Sequence, residues 1–324
     1  MQQWHDFLDP YQNHLQSFAE QATDTQPALL DLSHMGLLRV SGDGAKNLLQ
    51  GQLTCDINDI TLTQSRLGAH CNPQGRILSL AHLFYFQDSY YLQLPRDVIP
   101  IALAALQKYA VFYKVDLQDA SDTLIQIGYR GPHAPLQALT TELPTETNAV
   151  TQTQHLLINN LSSQISYYEV IGDFATITNL WTSLAKESLM NTTNISKYWR
   201  IQMGLPTIYA NTSGKLLPHE INLPDLNAVS FNKGCYTGQE IIARMHYRGQ
   251  SKKQMVRARV HTSTLPQPGA DLFQDNHACG IIIDSCWESA TVCQLLLVTA
   301  EKNLQATTAL YLDVNHEASL DILS

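Results

Sequence analysis

Apolar positions along the chain follow two periods, and the switches between them mark out elements. ALLDLS (28–33) and LLRVSG (37–42), divided by His34-Met35-Gly36, read as short strands. LGAHC (67–71) and RILSLAHLFYFQ (76–87) read as strands around the turn NPQG, and YYLQLP (90–95) continues the meander after Asp88-Ser89. Helical spacing appears in HDFLDPYQNHLQSFAEQA (5–22), in GAKNLLQGQL (44–53) with Asp43 as its expected cap, and in RDVIPIALAALQKYA (96–110). A strand is expected at VFYKVDL (111–117).

The alternation recurs from about residue 121. TLIQIGYRG is strand-like, PHAPLQALTTEL helical, SQISYYEVIG strand-like and FATITNLWTSLAKE helical, with the polar stretch 145–165 expected as a loop between units. Strands mixed with hairpins and helices in this way predict α+β units, not a doubly wound parallel sheet. Beyond 250 the strand-like runs QMVRARVHT, CGIIIDSCW, TVCQLLLVTA and ALYLDV are joined by polar turns, which predicts a small all-β barrel. The expected partition is 1–120, 121–249 and 250–324.

Composition adds limits. With 324 residues, 44% hydrophobic and 15% charged, the chain is long for one core. A net charge of −9 and the lack of a basic stripe argue against a broad polyphosphate-binding surface. The N-terminus MQQWHDFLDP has neither a basic nor an apolar leader region, and no apolar run reaches 18 residues, so a cytoplasmic protein without membrane contact is expected. Six sparse cysteines then read as reduced thiols. Cys279, Cys286 and Cys293 recur every seven residues near His277, but no pair has a zinc-ligand spacing, and structural thiols are expected there. No bound metal is expected in the isolated chain.

One stretch departs from ordinary core and surface: FNKGCYTGQEIIARMHYRG (231–249). Thr237 and Glu240 are spaced as a capping box opening a helix that Gly249 ends. That places Cys235 just ahead of a helix N-terminus and two residues from Lys233, an arrangement that favours thiolate over thiol. Gly234 and Gly238 give the backbone freedom to approach a flat or anionic ligand. A turn in which cysteine merely fills space is the alternative.

KGCYTGQE resembles the signature of the YgfZ family of folate-binding proteins, which are similar in fold to the aminomethyltransferase (T-protein) of the glycine cleavage system. WRIQMGLP, LPHEINL, ARMHYRG, LQGQLTCDI and AHCNPQGRI resemble further family landmarks in the family's order, covering most of 38–260. The resemblance implies two aminomethyltransferase-like α+β units and a C-terminal β-barrel around a central channel. It implies tetrahydrofolate binding, support of iron–sulfur enzymes or their assembly factors, an indirect link to tRNA through its modification, and a monomer. Lys233 and Cys235 match the family's functional pair. Lys233, Tyr236, Gln239, Glu240, Arg200, Gln202, Met35, Trp199 and Arg248 are the expected folate contacts, with Arg200 and Arg248 meeting the anionic glutamate tail.

Three departures qualify the resemblance. Ser79 and Leu80 stand where aminomethyltransferases carry carboxylates, so aminomethyl transfer lacks its proton-handling acid. Gln202 replaces a glutamate and offers one acceptor and one donor in place of a carboxylate. Met35 replaces a tryptophan found in some bacterial relatives, a loss for which Trp199 is the candidate compensation. Two other functions fit the same motifs: a one-carbon transferase with a different substrate, and a non-catalytic module that senses folate and docks on a partner.

Overall fold

A computed structural model describes residues 2–14, 17–18, 27–137, 139–140, 142–249 and 251–323. Its strands form three sheets. One is antiparallel, with Arg66–Cys71, Ile77–Phe86, Ser89–Pro95, Met35–Ser41 and Asp116–Asp119 in spatial order. The meander read from the sequence is therefore present, and Gln87 and Asp88, both at positive φ, form the two-residue turn of its central hairpin.

The second sheet runs Leu189–Asn191, Ala28–Asp31, Ile125–Arg130, Tyr167–Gly172, Leu156–Ser162, Val150–Gln152. Ala28–Asp31 thus crosses residue 120 to pair antiparallel with Ile125–Arg130 and parallel with Leu189–Asn191. The expected loop 145–165 contains two of these strands. LLINNLS reads as polar, yet Asn159 accepts a hydrogen bond from Ser65 Oγ at 2.9 Å and Asn160 donates to the Pro144 and Thr145 carbonyls. Paired in this way, buried amides are tolerated in a central strand.

Alternation of side chains across the strands builds four layers. Leu38, Val40, Ala81 and Leu83 of the first sheet pack against helices Ala45–Gln52 and Ile99–Ala110. Leu37, Phe84, Phe86 and Tyr91 face the other way and meet Leu157 and Ile171 of the second sheet, with Leu124 just ahead of its strand Ile125–Arg130. The outer face of that second sheet carries helices Gln2–Leu8 and Phe174–Leu184, where Trp4 and Trp181 pack edge to face at 5.4 Å. Burying each such large side chain stabilises the fold by about 1.5–3 kcal/mol.

Several local expectations fail for identifiable reasons. Helix Ala45–Gln52 has Gly44 itself at the cap position, so Asp43 stands one residue outside it and no side-chain cap forms. The first helix gives way to a 3₁₀ turn at Asp9–His14; residues 15–16 and 19–22 of that expected helix lie outside the described residues. VFYKVDL is a turn through 114 before its strand begins at Asp116, and among the described residues of PHAPLQALTTEL the helix spans Ala134–Gln137.

The third sheet orders Asp271–Gln274, His277–Trp287, Val292–Ala300, Lys253–His261 and Leu320–Leu323. Tyr311 bridges Phe273 at one edge and Ser319 beside the other, which curls the sheet on itself. In place of the expected strand ALYLDV only that bridge forms. Helix Thr193–Gln202 joins this sheet to the rest: Asn194 exchanges two hydrogen bonds with the Trp287 backbone, both 2.7 Å.

Candidate functional site

The signature loop is fastened to the end of helix Ala45–Gln52. Ser230 N–H donates to the Thr54 carbonyl at 2.8 Å, Thr54 Oγ1 to the Ala228 carbonyl at 2.6 Å, and Thr237 N–H to the Gly51 carbonyl at 3.2 Å. Two motifs some 180 residues apart, LQGQLTCDI and KGCYTGQE, are thereby one piece of structure. Gly238 is needed where the loop turns into helix Gln239–Arg248: its φ is +83°, and a Cβ there would lie 2.6 Å from the Asn72 carbonyl of the NPQG turn.

Lys233 is buried, and its ammonium donates to the carbonyls of Leu53 at 2.9 Å and Cys55 at 2.7 Å. Its Nζ also lies 5.2 Å from the centre of the Tyr236 ring. Burial pushes its pKa down to about 8, with Asp56 among the groups opposing the shift. Because the folded pKa is depressed, the unfolded chain binds more protons here between pH 8 and the usual lysine range, and this group's contribution to stability rises with pH across that window. Lys233→Met leaves two carbonyls without their donor and is expected to cost roughly 2–4 kcal/mol at pH 7. Urea titrations of both proteins should show the stability gap widening from pH 8 to pH 10; a constant gap would contradict the depressed pKa.

Of the six cysteines, Cys235 alone is exposed; Cys55, Cys71, Cys286 and Cys293 are buried and Cys279 is intermediate. Burial pushes Cys55, Cys71 and Cys293 up to about 12, which keeps them protonated. The expected capping box does not form. The helix begins at Gln239 behind left-handed Gly238, and the Thr237 hydroxyl donates instead to Gln52 Oε1 at 3.1 Å. Cys235 thus stands four residues ahead of the helix, and the Lys233 ammonium is directed at the two carbonyls. Glu240 is exposed and Gln239 half-buried on the first turn.

A second cluster lies between the first two sheets. Glu169, at the centre of Tyr167–Gly172, faces Arg200 of helix Thr193–Gln202 with Nη1 to Oε1 at 3.4 Å, and both side chains are buried. Burial pushes the Glu169 pKa up, while Arg200 and a hydrogen bond from Gln93 act against the shift. Gln93 Nε2 donates to Gln126 Oε1 at 3.0 Å, and Gln126 Nε2 to the Met35 carbonyl at 2.9 Å. Met35 and Trp199 belong to one apolar group with Leu30, Leu161 and Tyr167, and the Arg130 guanidinium lies 4.2 Å over the Trp199 ring.

Around this cluster, Glu169 Oε2, Tyr167 Oη, Gln93 Oε1, Arg200 Nε, Trp199 Nε1, His34 Nδ1 and His82 Nδ1 are buried without a hydrogen-bond partner. Each such atom costs about 1–3 kcal/mol, so this concentration fits an interior shaped for a polar ligand. Burial and nearby cations push His34 down to about 3, and burial with Arg200 pushes His82 down to about 4, so both rings are neutral at pH 7.

The expected contacts therefore separate. Lys233, Cys235, Tyr236, Gln239 and Glu240 share the loop and helix start, and Met35, Trp199 and Arg200 line the inter-sheet cluster. Gln202 is engaged elsewhere: it donates to Gln294 at 2.6 Å and accepts from Arg257 at 2.8 Å, both on the third sheet. Arg248 is exposed at the far end of its helix, apart from Arg200. Ser79 and Leu80 are buried in the strand Ile77–Phe86. Glu169, Gln93, His34 and His82 were not anticipated. Among the described residues no group of three or more His, Cys, Asp or Glu is placed to hold a metal, and no helix is long and apolar enough to cross a membrane.

These features define a protein built on the aminomethyltransferase fold. The solved aminomethyltransferase T of the glycine cleavage system from Bartonella henselae superposes with a TM-score of 0.74 at 18% identity, over 94% of this chain and 87% of its own. The GCVT N-terminal domain family matches residues 11–233. The tRNA-modifying protein YgfZ of Colwellia psychrerythraea is 35% identical over 229 residues, 70% of each chain. That of Yersinia pestis is 34% identical over 249 residues, 75% of this chain and 74% of its own. The chain belongs to the YgfZ family.

Proposed function

We propose that the protein is a folate-binding accessory factor for tRNA modification that acts by maintaining iron–sulfur enzymes, with Cys235 as its working thiol. The observation that carries the folate part is the group of unpartnered buried polar atoms around Glu169 and Arg200. A pterin is flat and presents adjacent N–H donors beside a carbonyl. Glu169 Oε2 accepts from those donors, and Trp199 and Met35 wall its faces. Arg200, held by Glu169, contributes a cation next to the ring carbonyl. The channel implied by the resemblance is assigned in this reading to the space between the two sheets. When bound, tetrahydrofolate supplies the ability to accept or donate a one-carbon unit.

The tRNA part is supported by the names of the relatives, and the iron–sulfur part by the resemblance. Lys233, in this reading, is a positioning residue that clamps the loop displaying Cys235. Absence of the acid at Ser79 and Leu80 argues for a role other than aminomethyl transfer. Calorimetric titration of the purified protein with tetrahydrofolate tests the reading. One saturable site is expected, and the absence of any binding heat at micromolar protein would remove folate from it.

A further inference from the structure

The net charge of −9 conceals a strongly uneven distribution. Between Glu240 and Asp271 there is no acidic residue, and Arg244, Arg248, Lys252, Lys253, Arg257 and Arg259 all fall there. The fold divides these cations into two groups. Arg259 pairs with Glu288 at 2.6 Å, Lys253 with Glu220 at 3.5 Å, and Arg257 donates to Gln202. Arg244, Arg248 and Lys252 are exposed and make no ion pair among the described residues. Lys302, also exposed, shares with Arg248 and Lys252 a cleft of 830 Å³ where the end of helix Gln239–Arg248 meets the end of strand Val292–Ala300. The acid in that cleft, Glu301, accepts from Gln305 Nε2 at 3.1 Å.

Aromatic rings accompany the cations. Tyr247, in the same cleft, is 66% exposed. It stands edge-on to His246 at 4.8 Å, and His246 stacks on Phe231 at 3.7 Å and 14°. Phe231 lies two residues before Lys233, so the aromatic strip leads from the cationic cleft towards the loop that displays Cys235. The helix between the two ends is roughly 14 Å long. Exposed rings among unpaired cations suit a chain that offers both phosphates and unstacked bases, a combination an acidic peptide does not present.

We infer that this face binds single-stranded RNA, such as a tRNA loop, with phosphates on Arg244, Arg248, Lys252 and Lys302 and a base stacked on Tyr247. The inference rests on the tRNA-modification reading above and replaces its indirect link with direct contact.

Fluorescence anisotropy with a labelled oligouridine, using bulk tRNA as competitor, tests it. Four phosphate contacts predict a slope of log affinity against log salt of about −2.8. Arg244→Ala combined with Lys252→Ala should flatten that slope by about 1.4. Tyr247→Ala should weaken binding about tenfold with the slope unchanged. All three positions are exposed, so the fold is expected to persist in these variants. Failure of the unmutated protein to bind at about 50 mM salt, or unaltered affinity in the variants, overturns the proposal. Equal displacement by polyglutamate with a silent Tyr247→Ala also overturns it and assigns the face to an acidic protein. Tetrahydrofolate titration of the same proteins separates the two readings: folate binding without RNA binding sinks only the surface, and RNA binding without folate binding sinks only the cofactor.

Discussion

Replacing Glu169 with glutamine is expected to weaken tetrahydrofolate binding roughly ten- to hundred-fold, the equivalent of a charge-assisted hydrogen bond worth about 1.5–3 kcal/mol. Glutamine keeps the volume and one acceptor, so the inter-sheet packing persists, but it cannot accept from two adjacent pterin donors. Alanine is the poorer probe. Both substitutions remove the charge opposite the buried Arg200 guanidinium, but alanine also removes its hydrogen-bond acceptor and leaves a cavity, which confounds binding with unfolding. A pH series adds a second readout. Burial raises the Glu169 pKa, so the folded protein holds this proton to a higher pH than the unfolded chain does. The group's own contribution to stability is therefore present at low pH and lost as pH rises through the raised pKa. Ligand binding runs the opposite way, because it requires the carboxylate. Affinity should fall on acidification from a pH above the ordinary glutamate range, and that fall should vanish in Glu169→Gln. An unaltered affinity in the variant, measured by calorimetry, would move the pterin out of the inter-sheet layer.

The position of that cluster was partly written in the sequence. YYLQLP, LIQIG and YYEVIG are apolar runs, each interrupted by one polar residue: Gln93, Gln126 and Glu169. Period-two alternation places each on the face shared with Tyr91, Leu124 and Ile171, which is the face between the sheets. A lone polar residue in an otherwise buried strand is the signal that finds them, and reading the strands for element type alone passes over it. The loop motif was legible as a special turn because its glycines and lysine are local. Its partners were not, because the carbonyls of Leu53 and Cys55 carry no side-chain signature. The same competition undid the capping box: Thr237 has a hydrogen-bond partner in Gln52 that only the folded chain brings near. Ala28–Asp31 was legible as a strand, but its pairing with Ile125–Arg130 is set by packing across nearly 100 residues.

Cys235→Ser is expected to abolish support of tRNA modification in cells that depend on this protein, while leaving tetrahydrofolate affinity unchanged. The argument is one of access. Four thiols are buried, and Cys279 is half-buried, accepts hydrogen bonds at its backbone carbonyl from Thr299 Oγ1 and Asn303 Nδ2, and has its thiol pKa raised by burial. Brief iodoacetamide treatment of the native protein should therefore label one site, identified by mass spectrometry as Cys235. Serine is nearly isosteric and the space beside Gly234 is open, so the substitution removes sulfur chemistry without disturbing the clamp formed by Lys233. Measured as the fraction of modified nucleoside in extracted tRNA, loss with retained folate binding favours a working thiol. Full activity of Cys235→Ser would instead support the folate-sensing module, whose function lies in its surfaces. Lys233→Met provides the complementary comparison. It loosens the loop while the sulfur remains, so partial activity that declines with temperature is expected if the lysine positions the thiol. A complete loss at every temperature, with the loop still folded, would give Lys233 a direct part in the chemistry.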